Sequence, residues 1–410
     1  MNPLSVSALL RGLFLDLTGK SQVLRYEAAA TGEIPSAAMK LEISNDDTEE
    51  NSAGTVRKAL DNWKKSGPGS STNESIESGI LLPSCVALYL SGKPEALYWI
   101  DDNFDSANQR LLERNAHPRI CSIREKSVIV KPEERSSVVK NRIALVTGGA
   151  QGIGEEIVRN LASCGALVFI ADLNIKGAQK LAEEINIAEG RTAAIALEVD
   201  ISDEASVEKM FNKAAETTSG LDLCISNAGV LKAGSVLEQE LSDFRFVTDI
   251  NYTGFFLVSK YAGRLMRAQH RTAPLWKTDI IQINSKSGLE GSNKNGAYAG
   301  GKFGGIGLVS SFAMELIEYN IKVNAICPGN FLDGPLWSHP EKGLFVQYLK
   351  TGKVPGAKTV EEVRAFYENK VPMKRGCTGK DLIRAIFYIV EQEYETGQAL
   401  PVTGGQVMLH

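Results

Sequence analysis

Nowhere in the chain do two cysteines form a C-x-x-C pair. The six, Cys85, Cys121, Cys164, Cys224, Cys327 and Cys377, are scattered, and several lie in apolar, strand-like runs such as LDLCISN. This excludes a disulfide scaffold or a zinc ribbon and reads as reduced, mostly buried thiols in a cytoplasmic protein. Histidine is also scarce. The four, His117, His270, His339 and His410, have no metal-ligand spacing, so no metal site is expected. No apolar run approaches the roughly 18 residues that a membrane span needs. The start, MNPLSVSALLRGLFLDLTGK, carries a short apolar patch broken by Arg11, without a charged leader or a small-residue cleavage site, so neither a membrane nor a signal peptide is expected. Long basic runs are missing and the net charge is −4, which argues against nucleic acid as a partner.

What remains is ordinary globular material, 43% hydrophobic and 23% charged over 410 residues, enough for two domains or one large domain with an extension. Residues 1–138 read as a small α/β extension. SNDDTEENSAG and KKSGPGSSTNES look like loops, with a short helix in VRKALDNWKK between them. ILLPSCVALYLSG and EALYWI look like strands. DSANQRLLERN looks helical with Ser106 as its N-cap, and RICSI and SVIVK look like further short strands. PEERSSVVKN reads as a linker.

From residue 139 to 410 the texture is regular. RIALVTGG, ALVFIAD, TAAIALEVD, LDLCISN and DIIQINS are apolar strands. Between them stand amphipathic helices such as GIGEEIVRNLASCG, NIKGAQKLAEEINIAEG, ASVEKMFNKAAETT and FFLVSKYAGRLMRAQ. Such alternation implies βαβ crossovers and a parallel sheet covered on both faces, a doubly wound Rossmann-type α/β fold.

The turn after the first of these strands reads Thr147-Gly148-Gly149-Ala150-Gln151-Gly152-Ile153-Gly154. Glycines there allow a sharp turn and close approach to a pyrophosphate at the helix N-terminus. Asp172 ends the second strand, and no arginine follows it directly. A carboxylate there accepts hydrogen bonds from ribose hydroxyls and repels a 2′-phosphate, so NAD is expected over NADP. Asp200 and Ile201 end the third strand and Asn227-Ala228-Gly229 the fourth, where ligands of open α/β sheets bind.

GAYAGGKFGG sets Tyr298 and Lys302 four apart, on one helix face. A free phenol is too weak a base at neutral pH, and a cation one turn away favours its ionised form. That pair suits proton transfer during hydride exchange between an alcohol and a nicotinamide. Ser285 in INSKSG and Asn251 in INYTG are candidates to fix the substrate oxygen and relay the proton, and Ser287 is a competing hydroxyl.

Taken together, TGGAQGIG, NAG, Asn251, Ser285, Tyr298-x-x-x-Lys302 and Pro328-Gly329 resemble the short-chain dehydrogenase/reductase family over residues 141–410. The resemblance implies that Tyr298 is the acid/base and that Lys302 binds ribose and lowers the pKa of Tyr298. Ser285 would orient substrate, and Asn251 would hold a relay water. Asp200 would lie by the adenine and Pro328-Gly329 by the nicotinamide. The threonine usual after such a proline-glycine pair is missing, and Asp333-Gly334 occupies the region.

PGNFLDGPLW, an expected helix in TVEEVRAFYENK and the C-terminal tail resemble the family's sorbitol-6-phosphate 2-dehydrogenases. This implies oxidation of D-sorbitol 6-phosphate to D-fructose 6-phosphate with NAD. The alternatives are an unphosphorylated polyol or ketose, or a regulator that binds NAD without turnover. A phosphate calls for a cation: Lys286 and Lys294 are the first candidates, then Lys374 and Arg375. A homodimer or homotetramer is expected through the helix from Tyr298 to Tyr319. The extension resembles the junction in class II aldolase–dehydrogenase fusions, but without a zinc-binding histidine cluster no aldolase activity is expected. Packing, oligomerisation and regulation remain open as its role.

Overall fold

The computed structural model describes residues 3–408 apart from 19–21, 29–33, 36, 45–46, 67–78, 91–92, 117–118, 123–137, 342, 351 and 353. The expected strand SVIVK, most of the linker PEERSSVVKN and most of the loop KKSGPGSSTNES fall outside these residues.

The first part of the chain runs α1 (Pro3–Thr18), β1 (Val23–Ala28), β2 (Met39–Ile43), α2 (Glu49–Ser66), β3 (Gly79–Leu82), β4 (Cys85–Leu90), β5 (Lys93–Asp101), α3 (Phe104–Glu113) and β6 (Arg119–Ser122). Four strands form a mixed sheet in the order β1-β5-β4-β2, and β3 pairs with β6. Alternation explains why this small sheet is covered twice. Val86, Leu88, Ala96, Tyr98 and Ile100 face α1 and α2, while Cys85, Ala87, Leu97 and Trp99 face the other way, towards Leu111 of α3.

Several local expectations are corrected here. The apolar start is a helix, and β1 and β2 had no clear sequence signal. EENSAG, read as loop, is the first part of α2. The N-cap of α3 is Asn103, whose Oδ1 accepts the Ser106 N–H at 2.9 Å. Asparagine one residue before the helix offers the same chemistry as serine inside it, and the backbone decides between them.

The remainder runs β7 (Ile143–Thr147), α4 (Gly152–Ser163), β8 (Leu167–Asp172), α5 (Ile175–Glu189), β9 (Ala194–Glu198), α6 (Glu204–Thr218), β10 (Leu223–Ser226) and α7 (Leu241–Thr248). A π-helical turn, Asp249–Thr253, then leads into α8 (Gly254–His270). After it come β11 (Thr278–Ile283), α9 (Gly296–Leu316), β12 (Ile321–Pro328), α10 (Pro335–Ser338), α11 (Leu344–Lys350), α12 (Val360–Asn369), α13 (Gly379–Glu391) and β13 (Ala399–Val402). Seven strands, all parallel, lie in the order β13-β12-β11-β10-β7-β8-β9. The expected doubly wound sheet is therefore present. Strands β7 and β12 are buried at every position, as central strands between two helical layers must be. Helices α6, α8 and α9 cover one face and α4, α5 and α13 the other. The chain order reverses between β7 and β10, and there the carboxyl ends of the strands splay apart.

Among the described residues no helix is long and apolar enough to cross a membrane. Cys85, Cys224, Cys327 and Cys377 are buried free thiols, and Cys164 is half-buried.

Candidate active site

A cleft of about 1530 Å³ opens at that switch point. Gly148, Gln151, Gly152, Ile153 and Gly154 form one wall. Gly148 has φ +61°, and a Cβ on it would lie 2.8 Å from Ala228 Cα. A Cβ on Gly154 would lie 2.0 Å from the Gly148 carbonyl oxygen. Only bare backbone lets this turn close on itself and on Asn227-Ala228-Gly229. Asn227 ties the two segments together: its Nδ2 donates to the Thr147 and Gly148 carbonyls, each at 3.0 Å, and Thr147 Oγ1 accepts the Asn227 and Ala228 N–H groups. The result is a concave cradle of glycines at the N-terminus of α4, a fit for the pyrophosphate of a dinucleotide.

Asp172, at the end of β8, also lines the cleft. Its Oδ2 accepts the Ala150 N–H at 3.0 Å and its Oδ1 the Asn174 N–H at 2.9 Å, so the carboxylate is held in one orientation. Asp200 and Ile201 line the same end. Asp200 Oδ1 accepts both the N–H and the hydroxyl of Ser202, an Asx-type turn. Pro328 and Gly329 line the cleft beyond β12, where the Gly329 N–H donates to the Val402 carbonyl at 2.9 Å.

Ser285, Tyr298 and Lys302 meet at the cleft floor. Ser285 Oγ accepts the Ser287 N–H at 3.1 Å, and the Ser285 side chain stands close enough to the Tyr298 phenol to draw its pKa down. That arrangement favours Ser285 over Ser287 as the partner hydroxyl. Burial raises the Tyr298 pKa above its ordinary value, and the nearby Ser285 side chain works against the rise. The sequence reading expected Lys302 to lower it. Instead the Lys302 ammonium, 5.7 Å from the phenol ring centroid, donates to the Ile283 carbonyl at 2.9 Å. Burial itself brings Lys302 down to about 8, with the Cys327 thiol acting in the opposite direction.

Asn251 behaves differently from the others. It is buried and does not line the cleft. Its Oδ1 accepts the Val230 N–H at 2.9 Å and its Nδ2 donates to the Val230 carbonyl at 2.8 Å. It sits in the π turn ahead of α8, an irregularity common at functional sites.

The glycines of α9 divide into two kinds. A Cβ on Gly304 would lie 2.8 Å from the Tyr252 ring, and one on Gly305 would lie 2.5 Å from Gln282 Nε2. Gly300 and Gly307 face open space. The inner glycines seat the helix flush against the π turn at Tyr252 and against β11 at Gln282, and close approach offsets their poor helix propensity.

Of the four candidate cations, Lys286 and Lys294 line the cleft, while Lys374 and Arg375 do not. Lys374 donates to the Asn369 carbonyl and Arg375 pairs with Asp381, both on the outer surface. Lys286 carries a counter-ion, Glu290, at 3.2 Å. Lys294 is exposed in a left-handed backbone conformation, φ +58°, and has no ion-pair partner among the described residues. Sequence reasoning missed Lys232, which lines the cleft and pairs with Asp243 at 2.5 Å. It also missed an aromatic wall of Phe331, Trp337, Tyr348 and Tyr367, in which the Trp337 and Tyr367 rings lie 4.9 Å apart. Burial pushes the Tyr367 phenol up to about 12. The expected helix in TVEEVRAFYENK is α12, and it brings Tyr367 to this wall. Asp333, where the missing threonine would stand, points to Arg364 at 2.7 Å.

Comparison with known proteins matches residues 142–339 to the family model described as short chain dehydrogenase. Sorbitol-6-phosphate 2-dehydrogenase of Escherichia coli (strain K12) is 36% identical over 271 residues, spanning 65% of this chain and 99% of that protein. Trans-4-hydroxycyclohexanecarboxylate dehydrogenase of Sinomonas cyclohexanicum is 32% identical over 66% of this chain and 95% of its own length. The crystal structure of sorbitol-6-phosphate 2-dehydrogenase from Erwinia amylovora aligns with a TM-score of 0.60 at 40% identity, covering 65% of this chain and all of that one.

Proposed function

Because the chain belongs to the short chain dehydrogenase family and so is an oxidoreductase acting on CH–OH groups, we propose that it oxidises a sugar alcohol phosphate with NAD, D-sorbitol 6-phosphate to D-fructose 6-phosphate. The observation that carries the chemistry is the gathering of Ser285, Tyr298 and Lys302 at the floor of one cleft, with Ser285 acting on the Tyr298 phenol and Lys302 one helical turn away. In this reading the Tyr298 oxygen takes the substrate hydroxyl proton as the C–H bond breaks. NAD, with its pyrophosphate in the glycine cradle and its nicotinamide beside Pro328-Gly329, would supply the hydride acceptor. Ser285 holds the carbinol oxygen and stabilises the phenolate that is to take the proton. Lys302 contributes its charge from a dry site and reaches for the nicotinamide ribose. Asn251 acts through structure, bracing Val230 at the cleft rim.

NAD is favoured over NADP by the Asp172 carboxylate, held fixed by two main-chain amides at the end of the cleft where the adenosine ribose would lie. Lys294 is the cation best suited to the substrate phosphate, since Lys286 and Lys232 already carry counter-ions. The relatives named for sorbitol 6-phosphate support this substrate.

A second reading, an unphosphorylated polyol, ketose or hydroxylated ring, draws on the aromatic wall, which suits apolar carbon faces. The relative named for a hydroxycyclohexane carboxylate supports it too. Measuring kcat/KM over sugar alcohols and their phosphates decides between them. Equal turnover of sorbitol and its phosphate would remove the phosphate from the proposal.

We further propose that residues 1–138 form an extension to a dehydrogenase domain of 139–410. The enzyme is proposed to work in the cytoplasm as a homodimer or homotetramer. Exposed Phe256 on α8 and Phe303 and Met314 on α9 offer the apolar contact.

A further inference from the structure

Arg11 of α1 and Asp222 at the foot of β10 form an ion pair at 2.8 Å, and neither side chain is exposed. The carboxylate is fully committed. Its Oδ2 also accepts the Ile143 N–H at the foot of β7, and its Oδ1 accepts the Trp276 indole N–H. Arg11 in turn donates to the Gln22 carbonyl, 2.8 Å away. Around this pair the two parts of the chain approach backbone to backbone. A Cβ on Gly12 would lie 2.2 Å from the Gln269 carbonyl oxygen, and one on Gly220 would lie 2.6 Å from Arg11 Cδ. Thr272 Oγ1 donates to the Leu9 carbonyl at 2.6 Å and Ser219 Oγ to the Leu24 carbonyl at 3.0 Å. Val23 of β1 and Ala107 of α3 belong to the same continuous core as Leu145, Phe169 and Val258.

We propose that the N-terminal extension is an obligatory part of the dehydrogenase fold, with Arg11 supplying the counter-charge for a carboxylate that the seven-stranded sheet buries at its foot. Without α1, Asp222 would lose its buried ion pair and keep only its bonds to Ile143 and Trp276 and the charge of Arg142, and removing one member of a buried pair is strongly destabilising. Hydrogen bonds also cross the seam in both directions, from Thr272 to the Leu9 carbonyl and from Arg25 to the Thr217 carbonyl. The extension and the sheet therefore unfold as one cooperative unit.

The test uses the full chain and does not depend on catalytic activity. Pulsed hydrogen exchange read by mass spectrometry along a urea titration follows peptides from β4 and β5 beside peptides from β7 and β10. Coincident midpoints are expected. Exchange of the extension at lower urea while β7 and β10 stay protected would overturn the proposal. The same titration on Arg11→Met is expected to raise the unfolding constant on the order of a hundredfold or more in both sets of peptides. Arg11→Met/Asp222→Asn, which removes both charges, should recover part of that loss. If Arg11→Met loosens only the extension peptides, the sheet does not need the arginine and the proposal falls. Should Arg11→Met fail to fold, the wild-type titration and the double variant still decide.

Discussion

The Ser285 side chain, just beyond β11, faces the Tyr298 phenol of α9 and draws its pKa down. Two elements thus bring a donor and a weak acid together at the floor of one cleft. Tyr298→Phe keeps the ring and removes only the oxygen. It is expected to lower kcat by about 10² to 10⁴, the usual span for a general acid/base. Circular dichroism and NAD affinity should stay unchanged. Retained turnover would show that another group moves the proton.

Ser285→Ala removes the hydroxyl that works against the raised phenol pKa. Oxidation of an alcohol needs the phenolate, so kcat/KM rises with pH through that pKa. In the variant the rising limb should move to higher pH, with kcat down by about 10² to 10³. A pH–rate profile of both proteins checks this, and an unmoved limb would argue that Tyr298 does not titrate in it.

Lys302 titrates at about 8 in the fold and at 10.5 ordinarily. Between those values the unfolded chain binds the extra proton, so the ligand-free protein gains stability as pH rises, by up to about 3 kcal/mol. Below pH 8 the lysine is charged in both states and the burial penalty stands in full. Urea denaturation at pH 7.5 and 9.5 should show the climb in the wild type and its loss in Lys302→Met.

Asp172→Ser removes the fixed carboxylate. The ratio of kcat/KM for NADP to that for NAD should rise at least tenfold, since the repulsion of a 2′-phosphate is gone. An unchanged ratio would place cofactor choice elsewhere.

Lys294→Ala is expected to raise KM for a sugar alcohol phosphate about tenfold or more, with little change for the unphosphorylated alcohol, as the loss of a charge-assisted contact does. Lys286→Ala should have the smaller effect, its charge being matched by Glu290. Equal effects on both substrates would separate Lys294 from the phosphate.

The doubly wound sheet was legible because its signals are local and repeated: apolar runs of strand length, amphipathic helices between them, and glycines at the first turn. The cleft residues were legible for the same reason, since each stands at a strand or helix end. What escaped lies in long-range geometry. Arg11 looked like an interruption in an apolar patch, and nothing near it in sequence announces Asp222 as its partner. The cation neighbouring Tyr298 was readable from spacing, but burial as the dominant influence on both groups was not. The aromatic wall comes from three short helices after β12, whose rings meet only once α12 folds back. Asn251 was found by its position, yet its two hydrogen bonds to Val230 depend on a π turn that no periodicity reveals.

The bare inner face of α9 has a consequence for how this enzyme could diverge. Where helix and sheet meet through side chains, a change on one side can be absorbed by a change on the other. At Gly304 and Gly305 there is no side chain to trim, so a neighbour that grows has nowhere to go but to lift the helix, and with it Tyr298 and Lys302 together. Changes in the walls around Trp337 and Tyr367 leave this seam untouched, whereas a side chain added at Gly305 would shift both groups at once.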